Sequence, residues 1–358
     1  MPSQETTAYI SQAEVQIDGR RSPDVSANVV AALVEETIDG LFRCEIVLNN
    51  FGEPRDGRFD FLFFDRSVVD FGKNVGLGLG PGAPPQQVFA GRITGLEAQF
   101  PPTGNSRLIL LAEDRLQDLR MTRRTRNFED SSDADIITKI AQEHGLTPKI
   151  DMSGPTHRDV AQVNLSDLAF LRERARAVNA EVWVEGTDLY AMPRTRQDAT
   201  PIELAYGVGL SAFQVRADLA HQCTAMSVSG WDVANKAALE ESVDDSAVSS
   251  EINGIGGSRI LEDKFGKRSE MLVHLVPLTV SEARTLAEAR YRERARRFVT
   301  GNASAEGDAR LQVGRYVKLA NLGVMFDGVY YVTRVRHLFD IQGGYHTEFE
   351  VERADIGR

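Results

Sequence analysis

The segment Phe42-Arg43-Cys44-Glu45-Ile46-Val47-Leu48 indicates the fold class of this chain. Its apolar residues at positions 42, 44, 46 and 48 fall on one face of an extended chain, and the charged Arg43 and Glu45 fall on the other. This period of two predicts a half-buried β-strand, and Asp39-Gly40 just before it is a hairpin signal.

Strand patterns continue on both sides of this segment, at Ala13–Ile17, Phe59–Phe64, Val88–Ala98 and Arg107–Leu111. The stretch Gly76–Pro85 is rich in glycine and proline and predicts a loop. Several strands joined by turns favour a small antiparallel barrel or a sandwich up to about residue 115.

The pattern then changes to mixed α and β. Apolar residues at helical spacing predict helices over Ser131–His144 and Ser166–Asn179, and a hairpin follows across Gly186-Thr187-Asp188. Residues 116–198 are therefore predicted to form a small α/β domain.

The last part of the chain repeats this order of a β-rich unit and an inserted segment. Strand patterns at Ile202–Arg216 and Gln222–Trp231 precede a polar stretch, Asn235–Ser258, that predicts a loop. The longest helix is predicted over Ser281–Phe298, and Leu311–Arg353 predicts three more strands. The fold class is α+β and mainly β.

Composition places the chain among globular proteins. It has 358 residues, 42% of them apolar, with a net charge of −11 and two cysteines, Cys44 and Cys223. The length predicts two or three domains, and the acidic balance argues against specific nucleic acid as a partner. We also expect no disulfide framework, no secretory signal at Met1–Ile10 and no membrane anchor.

Motifs for chemistry are lacking, so the sequence predicts no catalytic, cofactor-binding or metal site and no enzyme activity. The six histidines do not stand at metal-ligand spacing with cysteine or one another. His337 alternates with strand residues, which favours a partly buried structural role. The glycines of 76–82 precede prolines instead of the helix that a phosphate loop requires.

Two arginine clusters stand out. The first comprises Arg115, Arg120, Arg123, Arg124 and Arg126 and has few acids nearby in the sequence. We weigh a contact surface between subunits or with a partner against a solvated surface for this cluster. The second cluster lies on the long predicted helix, where neighbouring glutamates favour a solvated helix face.

The order of several motifs resembles the phage late control D family, which includes baseplate hubs of contractile tails and the hub portion of VgrG proteins. The central motif is Val163-Asn164-Leu165-Ser166-Asp167-Leu168-Ala169-Phe170-Leu171, followed by Arg174-Ala175. Upstream is Phe89-Ala90-Gly91-Arg92-Ile93-Thr94. Downstream are Phe326-Asp327-Gly328-Val329-Tyr330-Tyr331-Val332 and Gly344-Tyr345-His346-Thr347.

This resemblance implies a homotrimer in which each subunit contributes two similar, tube-like antiparallel β-barrels with inserted α/β subdomains. The barrels are expected at 1–115 and at 199–235 plus 308–358, and the insertions at 116–198 and 236–307. Three subunits then form a pseudo-hexameric ring that adapts a hexameric inner tube to a trimeric spike.

The implied partners are further copies of the chain, an Hcp-like inner tube protein, a trimeric spike and baseplate wedge proteins. VgrG proteins continue into a needle whereas this sequence stops at Arg358, so we expect the spike to be a separate protein. The expected location is a phage virion or an injection-system particle assembled in the bacterial cytoplasm.

Two alternatives from other functional classes stay open. One is a carbohydrate or peptidoglycan binding module, which an exposed aromatic platform would support, although Trp183 and Trp231 are the only tryptophans. The other is a cell-wall hydrolase on a β-barrel scaffold that uses some of the 52 acidic residues. The oligomeric state discriminates both alternatives from a hub.

Overall fold

The computed structural model describes residues 12–53, 59–194, 200–232, 235–273 and 279–357. Strands dominate these ranges, and most of them join one 13-stranded sheet that contains a closed six-stranded barrel. The predicted mainly-β α+β class is therefore confirmed. No helix in the described ranges is both long and apolar enough to cross a membrane.

The first unit is an antiparallel sheet that curls around an apolar core. Its strands and single short helix are β1 (Gln12–Ile17), β2 (Arg20–Arg21), α1 (Pro23–Ala27), β3 (Val29–Thr37), β4 (Arg43–Asn49), β5 (Phe51–Gly52), β6 (Asp60–Phe61), β7 (Asn74–Gly80), β8 (Gln86–Gln99) and β9 (Arg107–Glu113). The spatial order is β2-β1-β7-β8-β9-β4-β3, and β5 pairs with β6 beside it.

The glycine-rich stretch of the first unit is a strand over much of its length, so the loop predicted at Gly76–Pro85 is wrong there. β7 lies between β1 and β8, and its Val75, Leu77 and Leu79 are buried. These residues alternate with the glycines, and this period of two outweighs the glycine content because the leucines pack in the core.

A small α/β segment follows. Its elements are α2 (Gln117–Arg120), β10 (Arg123–Ser132), α3 (Asp133–Glu143), β11 (Thr147–Ile150), β12 (Thr156–Ser166), α4 (Asp167–Ala177), β13 (Glu181–Glu185) and β14 (Asp188–Met192). The Ser132 side chain accepts a hydrogen bond from the Asp135 amide at the start of α3, and Ser166 does the same for Ala169 in α4. Such N-caps satisfy amides that the first helical turn leaves unpaired. Ile137, Ile140 and Leu171 lie in the core of this segment.

The second unit is the closed barrel. Its strands, β15 (Ile202–Tyr206), β16 (Gly209–Ala217), β21 (Val299–Glu306), β22 (Tyr316–Ala320), β23 (Gly328–Asp340) and β24 (Gly344–Arg353), form the ring β16-β21-β24-β23-β22-β15. β15 runs parallel to both of its neighbours, and the other pairings are antiparallel. The strand β21 falls inside the insertion predicted at 236–307, because its small residues gave no apolar alternation to mark it.

The segment between β16 and β21 is more regular than the predicted loop at Asn235–Ser258, which is wrong. Its elements are β17 (Ala225–Asp232), β18 (Ala237–Asp244), a 3-10 helix (Asp245–Glu251), β19 (Ile255–Gly256), α5 (Gly257–Phe265), β20 (Ser269–Leu272) and α6 (Val280–Arg296), and the C-terminal β25 (Asp355–Ile356) pairs with β19. Leu239 of β18 packs against Ala283 and Ala287 of α6, so this buried leucine, with the partly buried Val243, anchors the strand against the helix.

The two units repeat one four-stranded arrangement. β3, β4, β8 and β9 of the first unit correspond in pairing to β16, β21, β23 and β24 of the second. Thr94 bulges from β8 opposite β9 and donates its hydroxyl to the Leu111 carbonyl at 3.3 Å. Thr333 bulges from β23 opposite β24 and donates to the Glu350 carbonyl at the same distance.

A second bulge recurs in the neighbouring pair of strands. Val30 is the extra residue of β3 opposite β4, and Ser211 is the extra residue of β16 opposite β21. Because bulges bend a strand at a defined place, their recurrence at equivalent positions means that both sheets bend alike.

One strand pair joins the two units. β3 pairs with β23 antiparallel from Thr37 opposite Arg334 to Ala31 opposite Asp340. Phe339 of β23 lies in the core of the first unit, so the junction buries apolar surface as well as backbone.

Candidate functional site

The five predicted contact arginines lie around the start of the α/β segment, and the structure separates them by their partners. Arg115 precedes α2, Arg120 is its last residue, and the two face acids of the first unit and of α2 itself. Arg123, Arg124 and Arg126 lie on β10 and reach across to its partner strand and to helices α3 and α4.

The first group is paired within the chain. Arg115 lies 3.4 Å from the Asp118 carboxylate, which Arg92 approaches at 3.2 Å from β8. Arg120 forms an ion pair with Glu113 at the end of β9. These contacts tie α2 to the sheet of the first unit.

The second group surrounds one buried acid. Arg126 donates to the Asp167 carboxylate at 2.9 Å and to Glu143 at 2.6 Å, and Arg124 lies 3.3 Å from Asp167. The Asp167 side chain is only 1% exposed. It is the acid of the family-like motif, so the motif has a structural explanation as the anchor of α4.

The charge of Asp167 is stabilised by its surroundings. Burial alone raises the pKa of this carboxyl, but hydrogen bonds from His144 and Gln162 and the charges of Arg126 and Arg124 outweigh it and lower the pKa. Asp167 is therefore a carboxylate at neutral pH and offsets one of the three positive charges of the second group.

We expect Asp167→Asn to lower the free energy of unfolding by about 2 kcal/mol, because charge-assisted hydrogen bonds are lost around a buried site. Thermal unfolding measures the change. Asp159→Asn on β12, where the carboxylate is exposed, is the matched control and should change stability by less than about 0.5 kcal/mol. Equal effects of the two variants would contradict the anchoring role.

Arg123 is the predicted arginine whose surroundings fit a contact surface best. Its guanidinium donates to the main-chain oxygen of Asn164. The nearby Val163 is 63% exposed, and Met121, two residues before Arg123, is 74% exposed. An assembly role for the five arginines therefore stays a prediction, which concerns Arg123 more than the paired Arg115, Arg120, Arg124 and Arg126.

Three arginines of the long helix and its C-terminal end follow the solvated-face interpretation, whereas Arg292, Arg294 and Arg296 contact other elements. Arg284, Arg290 and Arg297 pair with glutamates three or four residues away on the same helix. Arg292 donates to the Ala247 carbonyl at 2.8 Å, and Arg294 forms an ion pair with Glu270 of β20. Arg296 instead is buried and forms a two-pronged ion pair with Glu251 of the 3-10 helix, and it also donates to Asn179.

His144, His157 and His337 have structural partners, and His274 lies outside the described residues. His157 of β12 lies between Glu282 of α6, at 2.7 Å, and Asp133 of α3, at 3.4 Å, and these hydrogen bonds raise its pKa to about 9. His337 is completely buried beside the Tyr345 hydroxyl, and burial lowers its pKa to about 4. Within the described ranges, no three His, Cys, Asp or Glu side chains are placed to hold a metal ion.

A cleft of about 780 Å³ opens between the first unit, the hairpin of β13 and β14, and the loop before β22. Glu36 and Asp114 line it, and burial raises the pKa of Glu36 to about 8 and that of Asp114 to about 6. Glu36 accepts a hydrogen bond from the Val313 amide. Sequence reasoning missed Glu36, whose position in an alternating strand gave no signal of a buried acid.

An exposed phenylalanine cluster lies at one end of the first unit and was also missed. Its five members are Phe51, Phe59, Phe61, Phe64 and Phe100. Phe59 is 71% and Phe100 is 66% exposed. Neighbouring rings meet at interplanar angles from 23° to 87°, so they do not form the flat platform that a sugar ring stacks on. Exposed apolar groups of this size are typical of protein contact surfaces.

The comparison with known families and structures adds to this geometry. The family model described as the Alg8 N-terminal domain matches residues 7–340. It is not the late control D model, so membership of that family stays a prediction. No curated protein matches the sequence.

Solved structures share the fold over nearly the whole chain. The 43 kDa tail protein of prophage MuSo2 from Shewanella oneidensis is 11% identical with a TM-score of 0.71, and the alignment covers 96% of this chain and 99% of that one. The tail protein from Neisseria meningitidis MC58 is 12% identical with a TM-score of 0.68, and 98% of each chain is covered.

A third structure comes from a secretion system. It is the c3393 protein of E. coli, a type VI secretion component similar in structure to bacteriophage T4 tail proteins. It is 13% identical with a TM-score of 0.58, and 95% of this chain and 76% of that one are covered. At these identities the likeness shows the fold, which is that of tail and secretion-system proteins.

Proposed function

We propose that this chain, which belongs to the Alg8 N-terminal domain family, is a structural hub subunit of a contractile tail or injection system. In this proposal three copies form a ring with six similar units. The ring joins a hexameric, Hcp-like inner tube to a separate trimeric spike within a baseplate, in a phage virion or an injection-system particle assembled in the bacterial cytoplasm.

The observation that carries this proposal is the internal repeat. Two units with the same strand pairing and the same bulges at Thr94 and Thr333 stand side by side in one sheet. A chain that carries two similar units presents six of them when three chains close into a ring, so it can match a three-fold partner and a six-fold partner at once.

The likeness to tail proteins supports a structural role without turnover. The contacts of Asp167, His157 and Arg296 also support it, because each of these three side chains bonds partners from other elements, whereas Glu36 and Asp114 are the buried acids that share a cleft. The predicted domains, at 1–115, 116–198, 199–235 plus 308–358 and 236–307, and membership of the late control D family are part of this proposal.

The mass of the purified chain tests the proposal, measured alone and with the tube and spike proteins of its own gene cluster. We expect a particle of three times the chain mass, either at once or on addition of spike, that then caps tube rings. A chain that stays monomeric and ignores both partners would contradict the hub, and screens for glycan binding and cell-wall hydrolysis would follow.

A further inference from the structure

The internal repeat predicts which strands meet between copies. Within the chain, β3 of the first unit pairs with the distal half of β23 of the second unit, which is residues 334–340. The strand equivalent to β3 is β16, and the part equivalent to the distal half of β23 is the distal half of β8, residues 95–99. We propose that β16 of one copy pairs with the distal half of β8 of a second copy and so repeats the internal junction between chains, an inference that rests on the proposed function.

Both strands have an open edge where the pairing is needed. β16 pairs with β15 only at Gly209 and Leu210, so residues 211–217 have a partner strand on one side only in the described part of the chain. On β8, pairing with β7 ends at Arg92, and the same edge of residues 95–99 is without a described partner strand. Open edges of this length are templates for pairing with another chain.

Exposure along the two strands fits a missing neighbour. In β3 the residues at 32, 34 and 36 are buried and those at 31, 33 and 35 are half-buried. The equivalent residues of β16 alternate in the same way but are more exposed. Residues 213, 215 and 217 are half-buried where their β3 equivalents are buried, and residues 212, 214 and 216 are exposed where theirs are half-buried. β16 therefore has the inner and outer faces of a strand that pairs on both edges, but in the described part of the chain residues 211–217 pair on one edge only.

The repeat also fixes the register. Transfer of the internal pairs, Val335 with Glu36 and Arg336 with Glu35, places Leu96 opposite Ala217 and Glu97 opposite Arg216. Both Glu97 and Arg216 are exposed, and their charges are opposite. Arg336 and Glu35 are also opposite in charge, but there the arginine lies on β23, whereas here the glutamate lies on β8, the equivalent of β23. Opposite charges directly across a strand pair stabilise it.

The same register provides cover for Phe100 of the phenylalanine cluster. Its equivalent in β23 is Phe339, which inserts into the core of the first unit. Phe100 falls opposite Phe213 of β16, a half-buried residue at the edge of the second barrel's core. The 66% exposed ring would thus be buried in the next copy as Phe339 is buried within the chain.

A cross-link across the junction tests the register. The full chain with Glu97→Cys and Arg216→Cys places two thiols on directly opposite residues, within disulfide reach when the strands pair. Under mild oxidation we expect covalent oligomers on a non-reducing gel, ending at the trimer. The matched control is a chain that carries Glu97→Cys together with Lys318→Cys on β22, and it should not cross-link. The native Cys44 and Cys223 are buried, so the unchanged chain gives the background.

Exchange of the two charges is a second test of the pairing between β16 and β8. Arg216→Glu alone and Glu97→Arg alone should each weaken self-association by about threefold to tenfold, and the chain with both changes should recover it. Phe100→Ser should weaken it by about tenfold to a hundredfold, whereas Phe265→Ser, 59% exposed on α5, should not.

The outcomes separate this inference from the proposed function. A trimer that neither cross-links nor responds to charge exchange overturns the strand pairing and leaves the hub. Cross-linked ladders that pass the trimer support the pairing and overturn the three-fold ring. A chain that stays monomeric even with the tube and spike proteins present, and that does not cross-link, overturns both.

Discussion

Arg194→Met is expected to lower the free energy of unfolding by about 3–5 kcal/mol, because it leaves the buried Glu352 and the partly buried Glu181 without their shared cation. Arg194 is 6% exposed. Its guanidinium donates to Glu181 of β13 at 2.7 Å and to Glu352 of β24 at 2.5 Å, and it stacks 4.0 Å from the ring centre of Tyr331.

The geometry explains why this loss should be large. Glu181 belongs to the α/β segment and Glu352 to the second barrel, so one cation bridges two parts of the chain. Methionine keeps much of the apolar stem but none of the charge, and the carboxylates would then repel each other in a region with little water.

Thermal unfolding measures this effect, with Arg310→Met as the matched control. The Arg310 side chain is 69% exposed and pairs with Asp308, so its loss should cost less than about 1 kcal/mol. Adding Glu181→Gln and Glu352→Gln to Arg194→Met should recover part of the stability. A loss in Arg194→Met as small as that of the control would show that the bridge is not a stabilising contact.

Glu36→Gln is expected to stabilise the protein increasingly as the pH rises, by on the order of 3 kcal/mol near pH 8. Burial raises the pKa of Glu36 from 4.5 to about 8 in the folded state. The folded state therefore holds a proton that the unfolded state releases. The contribution of Glu36 to stability is complete below pH 4.5 and falls as the pH rises through 8.

Other groups titrate in the same range, so the comparison must be made between variants. His157 also loses stabilisation above pH 6.5, up to its folded pKa of about 9, whereas Asp114 contributes mainly below its pKa of about 6. The difference between Glu36→Gln and the unchanged chain isolates Glu36, because the histidine is present in both.

The measurement is the unfolding midpoint of both proteins at pH 5, 6.5 and 8. Glu35→Gln is the matched control, since Glu35 is the preceding residue on the opposite face of β3 and pairs with Arg334. We expect a gap between Glu36→Gln and the unchanged chain that widens with pH, and no such trend for Glu35→Gln. A gap that is constant with pH would mean that Glu36 is ionised in the folded protein.

The local elements follow from the amino-acid sequence alone. The alternation at Phe42–Leu48 and at Tyr345–Val351 marks strands β4 and β24, and apolar residues at helical spacing mark α3 and α4. These signals are local because a strand or a helix turn exposes its inner face at a fixed spacing along the chain.

Which elements are neighbours, and which charges are paired, depends instead on the folded chain as a whole. Asp167 neutralises Arg126 from 41 residues away, and β3 meets β23 about 300 residues later. The glycines of β7 and the small residues of β21 lie in strands because each of these two strands pairs with a neighbouring strand on both sides. An alternation with a period of two indicates which face of a strand is buried, but it does not indicate which element packs against that face. Contacts of this range therefore depend on the packing of the whole chain.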